Sequence, residues 1–348
     1  MKFIENTKIK FMSYKKVGFA LSATLAAGSL FLLMLGLNLG IDFKGGTAIG
    51  LSFDEEVSIQ EIRSVMESIS VGDQEFNLST EEIKYFGSNK EIMIKIKSQD
   101  NTPENFGQGI VNHIYKSMPT KVPEDKNMFI LSLGAVSPKV GSELSGKAFW
   151  SIVSALVLIL FYISIRFEFK FAVGAILALV HDIIITLGVF SLTGYEITLS
   201  TVAAFLTIVG YSLNDTVVVF DRIREFLNEH TSWNLDKTVN SALNSTLSRT
   251  LNTSLTTLVV LLAMFAFGAD SLRGLLFALI VGVIVGTYSS VFIAPPFLAQ
   301  LREKEPAMQA LAKRVNARSG STADLSITPV AAVNGRGPRN QPKRKGRK

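Results

Sequence analysis

The sequence predicts a membrane α-helical protein of six spans, with an α+β ferredoxin-like domain inserted between the first span and the second. Three observations carry that prediction. Charged residues make up only 18% of the 348-residue chain and hydrophobic ones 48%, whereas about a quarter of an ordinary soluble protein is charged. The apolar residues fall in six long blocks, and a helix needs about 20 of them to cross the hydrocarbon core. Between the first and second blocks lies a long polar stretch that mixes strand and helix periodicity.

The first span is 17–39, charge-free and preceded by Lys15-Lys16. A signal peptide is the competing reading, but the run exceeds the about 7–15 apolar residues of a signal core, which favours a retained helix. Within 40–147, residues 47–53 read as a strand and 58–70 as a helix with Ile59, Ile62, Val65 and Met66 on one face. Residues 82–86 and 91–97 follow as strands around a Gly87-Ser88-Asn89 turn, with Ile92, Ile94 and Ile96 alternating against polar neighbours. A helix opens near Pro103 and runs to Met118, and 127–135 is the last strand. The order β-α-β-β-α-β is the split arrangement of ferredoxin-like folds. The remaining spans are 148–165, 171–192 (interrupted by His181-Asp182), 197–220 (carrying Asn214-Asp215), 249–268 and 274–301. In the last, Gly282 and Gly286 give a small-xxx-small spacing that permits close helix contact.

Basic residues orient the chain. Residues 1–16 hold five Lys against Glu5, and the tail 302–348 holds twelve Lys+Arg against three acidic residues. The 40–147 stretch holds eleven Lys+Arg against sixteen Asp+Glu. Both termini are therefore expected in the cytoplasm and the acidic α+β domain outside it. The overall charge of +6 belongs to the two tails rather than to a folded nucleic-acid surface. The tail, ending Lys343-Arg344-Lys345-Gly346-Arg347-Lys348, lacks apolar periodicity and is expected to be disordered, a solvated topology-fixing segment or one that anionic lipid or ribosomal RNA attracts.

No cysteine is present, so disulfides, thiolate chemistry and Cys-based metal sites are excluded. Three histidines do not support a multi-histidine metal centre, and no motif asks for a cofactor. The carboxylates of the 40–147 domain are scattered singly or in solvated clusters, and His113 reads as a helix-face residue. The domain is expected to bind or to act as a lever, not to catalyse.

The informative charges are those inside the spans, because each costs at least about 2.5–3.5 kcal/mol at the bilayer centre. Asp215 lies about 27 Å from the outer end of span four and Arg249 about 28 Å from the outer end of span five. The two are expected to pair, with Thr253 and Thr256 continuing a polar track. Asp182 lies close to mid-membrane, with His181 pointing about 100° away from it. Two readings stay open: a buried ion pair that fixes helix packing, or an Asp215 that takes and releases protons under the influence of Arg249. Asp182 is either a further relay group or a helix brace.

Four stretches resemble a known family: Ile41-Asp42-Phe43-Lys44-Gly45-Gly46-Thr47, residues 136–144, Val180-His181-Asp182 and residues 209–225. On them the chain resembles the SecF members of the SecD/SecF protein-export family, within the resistance-nodulation-division superfamily, over about residues 17–301. The resemblance implies half of a twelve-helix bundle completed by SecD. It implies use of the proton or sodium gradient to promote late steps of preprotein export through the SecYEG translocon, with YajC and YidC as further partners. It assigns the cation relay to positions Asp215 and Arg249, and the family signature to Asp42, Gly45, Gly46 and Thr47. Locally, Gly45-Gly46 reads as a sharp turn with positive φ, or as a flexible linker. The rival functions are a proton-coupled exporter of small molecules or lipids from the same superfamily, and a membrane receptor.

Overall fold

The structure is a computed structural model that describes residues 7–303, apart from 72–73, 99–102, 104 and 231–232. The expected disorder of the basic tail lies outside the described residues. A single 3-10 turn, Phe11–Tyr14, leads into α1 (Lys15–Leu35), which ends at Gly36 with φ 112°. A four-residue helix, α2 (Ile41–Lys44), then delivers the chain into β1 (Gly46–Ser52).

The α+β domain continues with α3 (Ile59–Val65), the short hairpin β2 (Ile69–Val71) and β3 (Gln74–Phe76), then β4 (Glu82–Phe86) and β5 (Ser88–Lys97). It closes with α4 (Phe106–Ser117), α5 (Lys126–Phe129) and β6 (Ile130–Val136). The main sheet has the order β4-β5-β1-β6 with every pair antiparallel, which is the expected ferredoxin-like topology. Alternation explains the register. Ile92, Ile94 and Ile96 are all fully buried, as are Ile49, Ile62 and Ile110 opposite them.

Two local expectations are corrected. The helix expected over 58–70 stops at Val65, because Ile69 and Val71 alternate with an exposed Ser70 and pair across a hairpin with Phe76 and Gln74. Residues 126–129 form a helical turn rather than strand, started by Asp125, whose Oδ1 accepts from Asn127 N at 2.8 Å.

The remaining helices are α6 (Pro138–Arg166), α7 (Phe169–Thr193), α8 (Leu199–Glu229), α9 (Leu235–Phe267), α10 (Arg273–Phe292) and α11 (Ala294–Glu303). With α1, they supply six segments long and apolar enough to cross a membrane, α10 and α11 counting as one. Several run past the expected spans because hydropathy marks only the apolar part of a helix. Helix α6 starts ten residues before position 148, at Pro138, with Ser137 Oγ accepting from Val140 N. Pro at the first turn and Ser at the cap are the usual start signal. Helix α9 starts at Leu235, so Arg249 lies in its interior instead of opening it. The break between α10 and α11 precedes Pro295-Pro296, whose missing N–H groups cannot continue the ladder.

Helix α8 packs most extensively on α10. Gly282 and Gly286 make that possible: a Cβ on Gly282 would enter the Ile208 side chain, and one on Gly286 would lie 3.0 Å from Ser212 Cβ. The expected small-residue spacing thus lies in a close helix contact. Helices α7 and α10 are largely buried, while α6 and α9 are mostly exposed.

Candidate functional site

Two carboxylates lie inside the helix bundle, on opposite sides of the α8–α10 seam. Asp182, on α7, is 1% exposed. Its Oδ2 accepts from Ser212 Oγ of α8 at 2.7 Å and from Ser289 Oγ of α10 at 2.8 Å. Its Oδ1 lies 3.0 Å from His181 Nδ1. The expectation that His181 points away is therefore wrong. The backbone directions of adjacent helical residues do diverge, but the imidazole swings back to its neighbour. His181 Nε2 is buried without a hydrogen-bond partner among the described residues, and its ring lies 6.4 Å from that of Tyr288. Tyr288 Oη donates to Gly18 O and accepts from Ser22 Oγ, which carries the polar run across to α1.

Asp215 lies on α8 about one turn beyond Ser212 and is 4% exposed. Its Oδ2 accepts from Ser254 Oγ of α9 at 3.4 Å, and Ser254 accepts from Thr287 Oγ1 of α10 at 2.7 Å. Thr287, Tyr288 and Ser289 are consecutive, so one turn of α10 reaches both acidic sites. The hydroxyls of α10 can reorient between donors and acceptors without moving a helix, which suits groups that gain and lose a proton.

The expected Asp215–Arg249 pairing does not form as a contact. No ion pair joins the two among the described residues, and Arg249 is exposed. Its charge reaches Asp215 only through space. Thr253 is likewise not at Asp215: its hydroxyl donates to Arg249 O and Thr250 O of its own helix. Thr256 does the same toward Asn252 O and Thr253 O. The residues that sequence reasoning missed are Ser212, Ser254, Thr287 and Ser289. The available signal was polarity within apolar spans, but choosing among many such hydroxyls requires knowing which face each helix buries.

The signature residues form a joint at the other end of α8. Gly45 and Gly46 have φ of 79° and 150°, the positive values expected of a sharp turn. A Cβ on Gly45 would lie 2.7 Å from Pro138 N, and one on Gly46 would meet Ile96 O, so the site excludes side chains for space as well as for conformation. Thr47 is buried in β1 opposite Ile96 and Ala135. Asp42 Oδ2 accepts from Leu199 N, the first residue of α8, at 2.9 Å. Among the described residues no group of three or more His, Asp or Glu side chains is placed to hold a metal ion.

The comparisons with known proteins agree with this architecture. Residues 116–304 match the C-terminal part of the protein export membrane proteins SecD/SecF, and residues 30–57 match the SecD/SecF GG motif. The protein translocase subunit SecF of Rhodothermus marinus is 42% identical over 320 residues, covering 90% of this chain and 99% of that protein. The SecF of Vibrio alginolyticus is 39% identical, covering 84% and 90%. The crystal structure of SecDF from Thermus thermophilus, a translocon-associated membrane protein, superposes with a TM-score of 0.72 at 33% identity. The match covers 87% of this chain and 40% of that longer one. The chain belongs to the SecF branch of the SecD/SecF family of protein export membrane proteins.

Proposed function

We propose that this chain is an accessory subunit of the Sec protein translocase. In this reading a proton or sodium ion moving past Asp215 drives displacement of the α+β domain, which promotes late steps of preprotein export. The observation that carries it is a carboxylate, 4% exposed, on a membrane-spanning helix whose first turn is tied to that domain. A buried acid held by rotatable hydroxyls, with a cation acting only through space, can change charge without breaking a contact ion pair. Asp182 and its three partners supply a second ionisable centre on the same seam, and Arg249 sets the potential near Asp215.

The partner is a SecD-type protein completing a twelve-helix bundle, since this chain spans 40% of the SecDF chain it resembles. SecYEG, YajC and YidC would form the surrounding machinery, with an unfolded preprotein as cargo. We place 40–147 outside the cytoplasm and both termini within it, in the bacterial cytoplasmic membrane, because basic residues concentrate in the two tails. The role needs no covalent chemistry.

The test replaces Asp215 with Asn and follows preprotein export in vesicles carrying this chain and its SecD-type partner. Stimulation by an imposed proton or sodium gradient is expected to disappear, with gradient-independent export retained. Undiminished stimulation by both gradients would defeat the reading. Gradient-driven efflux of a lipid or small molecule, with no effect on export, would favour the exporter alternative.

A further inference from the structure

The segment between α1 and β1 runs beside the α7–α8 connection and is bonded to it repeatedly. Ile197 N donates to Asn38 O at 2.8 Å and Gly40 N donates to Ile197 O at 2.9 Å, forming a parallel bridge at Leu39 and Ile197. Asn38 Nδ2 donates to Gly194 O at 3.0 Å. The Asp42 carboxylate then takes the N–H of Leu199, complementing the positive end of the α8 dipole. Thr198 and Thr201 form a capping box at the same end, so Asp42 supplements an intact cap rather than replacing a missing one.

A second tie comes from the sheet itself. Lys95 of β5 is ion-paired to Glu196 in the α7–α8 connection, and both side chains are at least three-quarters buried. Phe43, one residue beyond Asp42, packs with Ile197, Ala204 and Phe205. Backbone, carboxylate, ion pair and aromatic contact thus converge on the first turn of α8. From there α8 is one continuous helix to Glu229, and Asp215 lies about 24 Å along it.

We infer that Asp42 and the Lys95–Glu196 pair are positioning residues of a mechanical joint, which makes the α+β domain and the first turn of α8 move as one body. A movement of α8 that starts beside Asp215 is then delivered to the domain without passing through a flexible linker. The inference rests on the reading that Asp215 drives export. A merely structural anchor would hold the fold without transmitting motion, and the two roles separate experimentally.

The absence of cysteine makes the measurement direct. Spin labels are attached through Asn89→Cys, exposed at the start of β5, and Ala23→Cys on the exposed side of α1. The full chain is assembled with a cysteine-free SecD-type partner in vesicles. The distance between labels is compared with and without a cation gradient. A gradient-dependent distance change is expected in the parent chain and is expected to be lost in the double variant Asp42→Ala, Glu196→Ala. It is expected to survive in Asp42→Asn, which keeps an acceptor oxygen, and in the charge exchange Lys95→Glu, Glu196→Lys. Co-purification of the partner should remain at the parent level throughout.

Retention of the full distance change in the double variant would overturn the joint. So would its loss together with loss of partner co-purification in Asp42→Asn, which would make Asp42 a folding residue. A change that persists in Asp215→Asn defeats the assigned role of Asp215 while the double variant still judges the joint. A parent chain with no distance change defeats both.

Discussion

Ser254 Oγ donates to the Asp215 carboxylate, whereas Arg249, five residues earlier on the same helix, stays exposed and makes no ion pair with it. Thr287 in turn donates to Ser254. The acid is therefore positioned by a relay of hydroxyls from α9 and α10. Replacing Ser254 with Ala removes the donor from a buried acceptor, a change worth about 1–3 kcal/mol. Gradient-stimulated export is expected to fall several-fold in Ser254→Ala and to recover in Ser254→Thr. Thr253→Ala, which loses only bonds to its own helix, should leave stimulation near the parent level. Equal effects at 253 and 254 would contradict the assignment.

The α8–α10 seam yields a prediction of sign. Gly to Ala in a helix interior usually stabilises by up to about 1 kcal/mol. At Gly28 of α1 nothing lies within 4 Å of the added methyl, so Gly28→Ala should be neutral or stabilising. At Gly282 the methyl would enter the Ile208 side chain, and overpacking of this kind costs about 1–3 kcal/mol. Thermal unfolding in detergent should therefore show a lower Tm for Gly282→Ala, and Ile208→Ala should relieve it in the double variant. A Tm for Gly282→Ala at or above that of Gly28→Ala would show that the helices separate freely.

The contrast between Ser254 and Thr253 also shows what the sequence could disclose. Counting residues along a helix gives Asp215 and Arg249 matching depths, but the packing of α8 on α9 sets Ser254, not Arg249, level with Asp215. Rotation about the helix axis is a different quantity. Thr253 follows Arg249 by four residues and stays half-buried on its side of the helix, while Ser254 follows by five and is buried. Nothing in the local sequence says which face meets α8. The ferredoxin-like order was legible because Ile92, Ile94 and Ile96 alternate cleanly. The β2–β3 hairpin was not, because Ile69 continues the apolar face of Ile62, Val65 and Met66 for one more turn. Asp42 was visible only as part of a signature, since its partner Leu199 is 157 residues away.

Asp182 gathers three partners on one carboxylate: the hydroxyls of Ser212 and Ser289 donate to Oδ2, and His181 Nδ1 lies 3.0 Å from Oδ1. An amide can keep its oxygen on the two serines only by turning its NH2 toward His181 Nδ1, which must then accept and leaves the proton on the buried Nε2. Asp182→Asn should lower thermal stability by about 1–3 kcal/mol, as expected for stranding a buried polar group. Ser289→Ala should cost less in that background than in the parent, since a neutral amide oxygen accepts more weakly than a carboxylate. A double-mutant cycle is expected to give about 0.5–3 kcal/mol of coupling. Strict additivity would mean that Ser289 and Asp182 do not interact.

Glu61 provides a pH test confined to the α+β domain. Its carboxylate bonds Lys121 Nζ at 2.8 Å and also closes the capping box of α3 with Ser58. The Lys121 bond first, and the Ser58 N–H second, hold the carboxyl below its ordinary value of 4.5. A carboxyl lowered in the folded state contributes stability that is fully present above its unfolded value. That contribution is lost as pH falls through the folded value. Amide protection factors in α3 are thus expected to be flat near neutral pH and to decline as the medium is acidified below about 4.5, the ordinary glutamate value. Glu61→Gln keeps an acceptor for the capping box but does not titrate, so its α3 should start less protected and show a smaller acid decline. Lys121→Ala should weaken the same step by removing the larger cause of the shift. An acid decline of equal size in the parent chain and in Glu61→Gln would place the titrating group elsewhere in the domain.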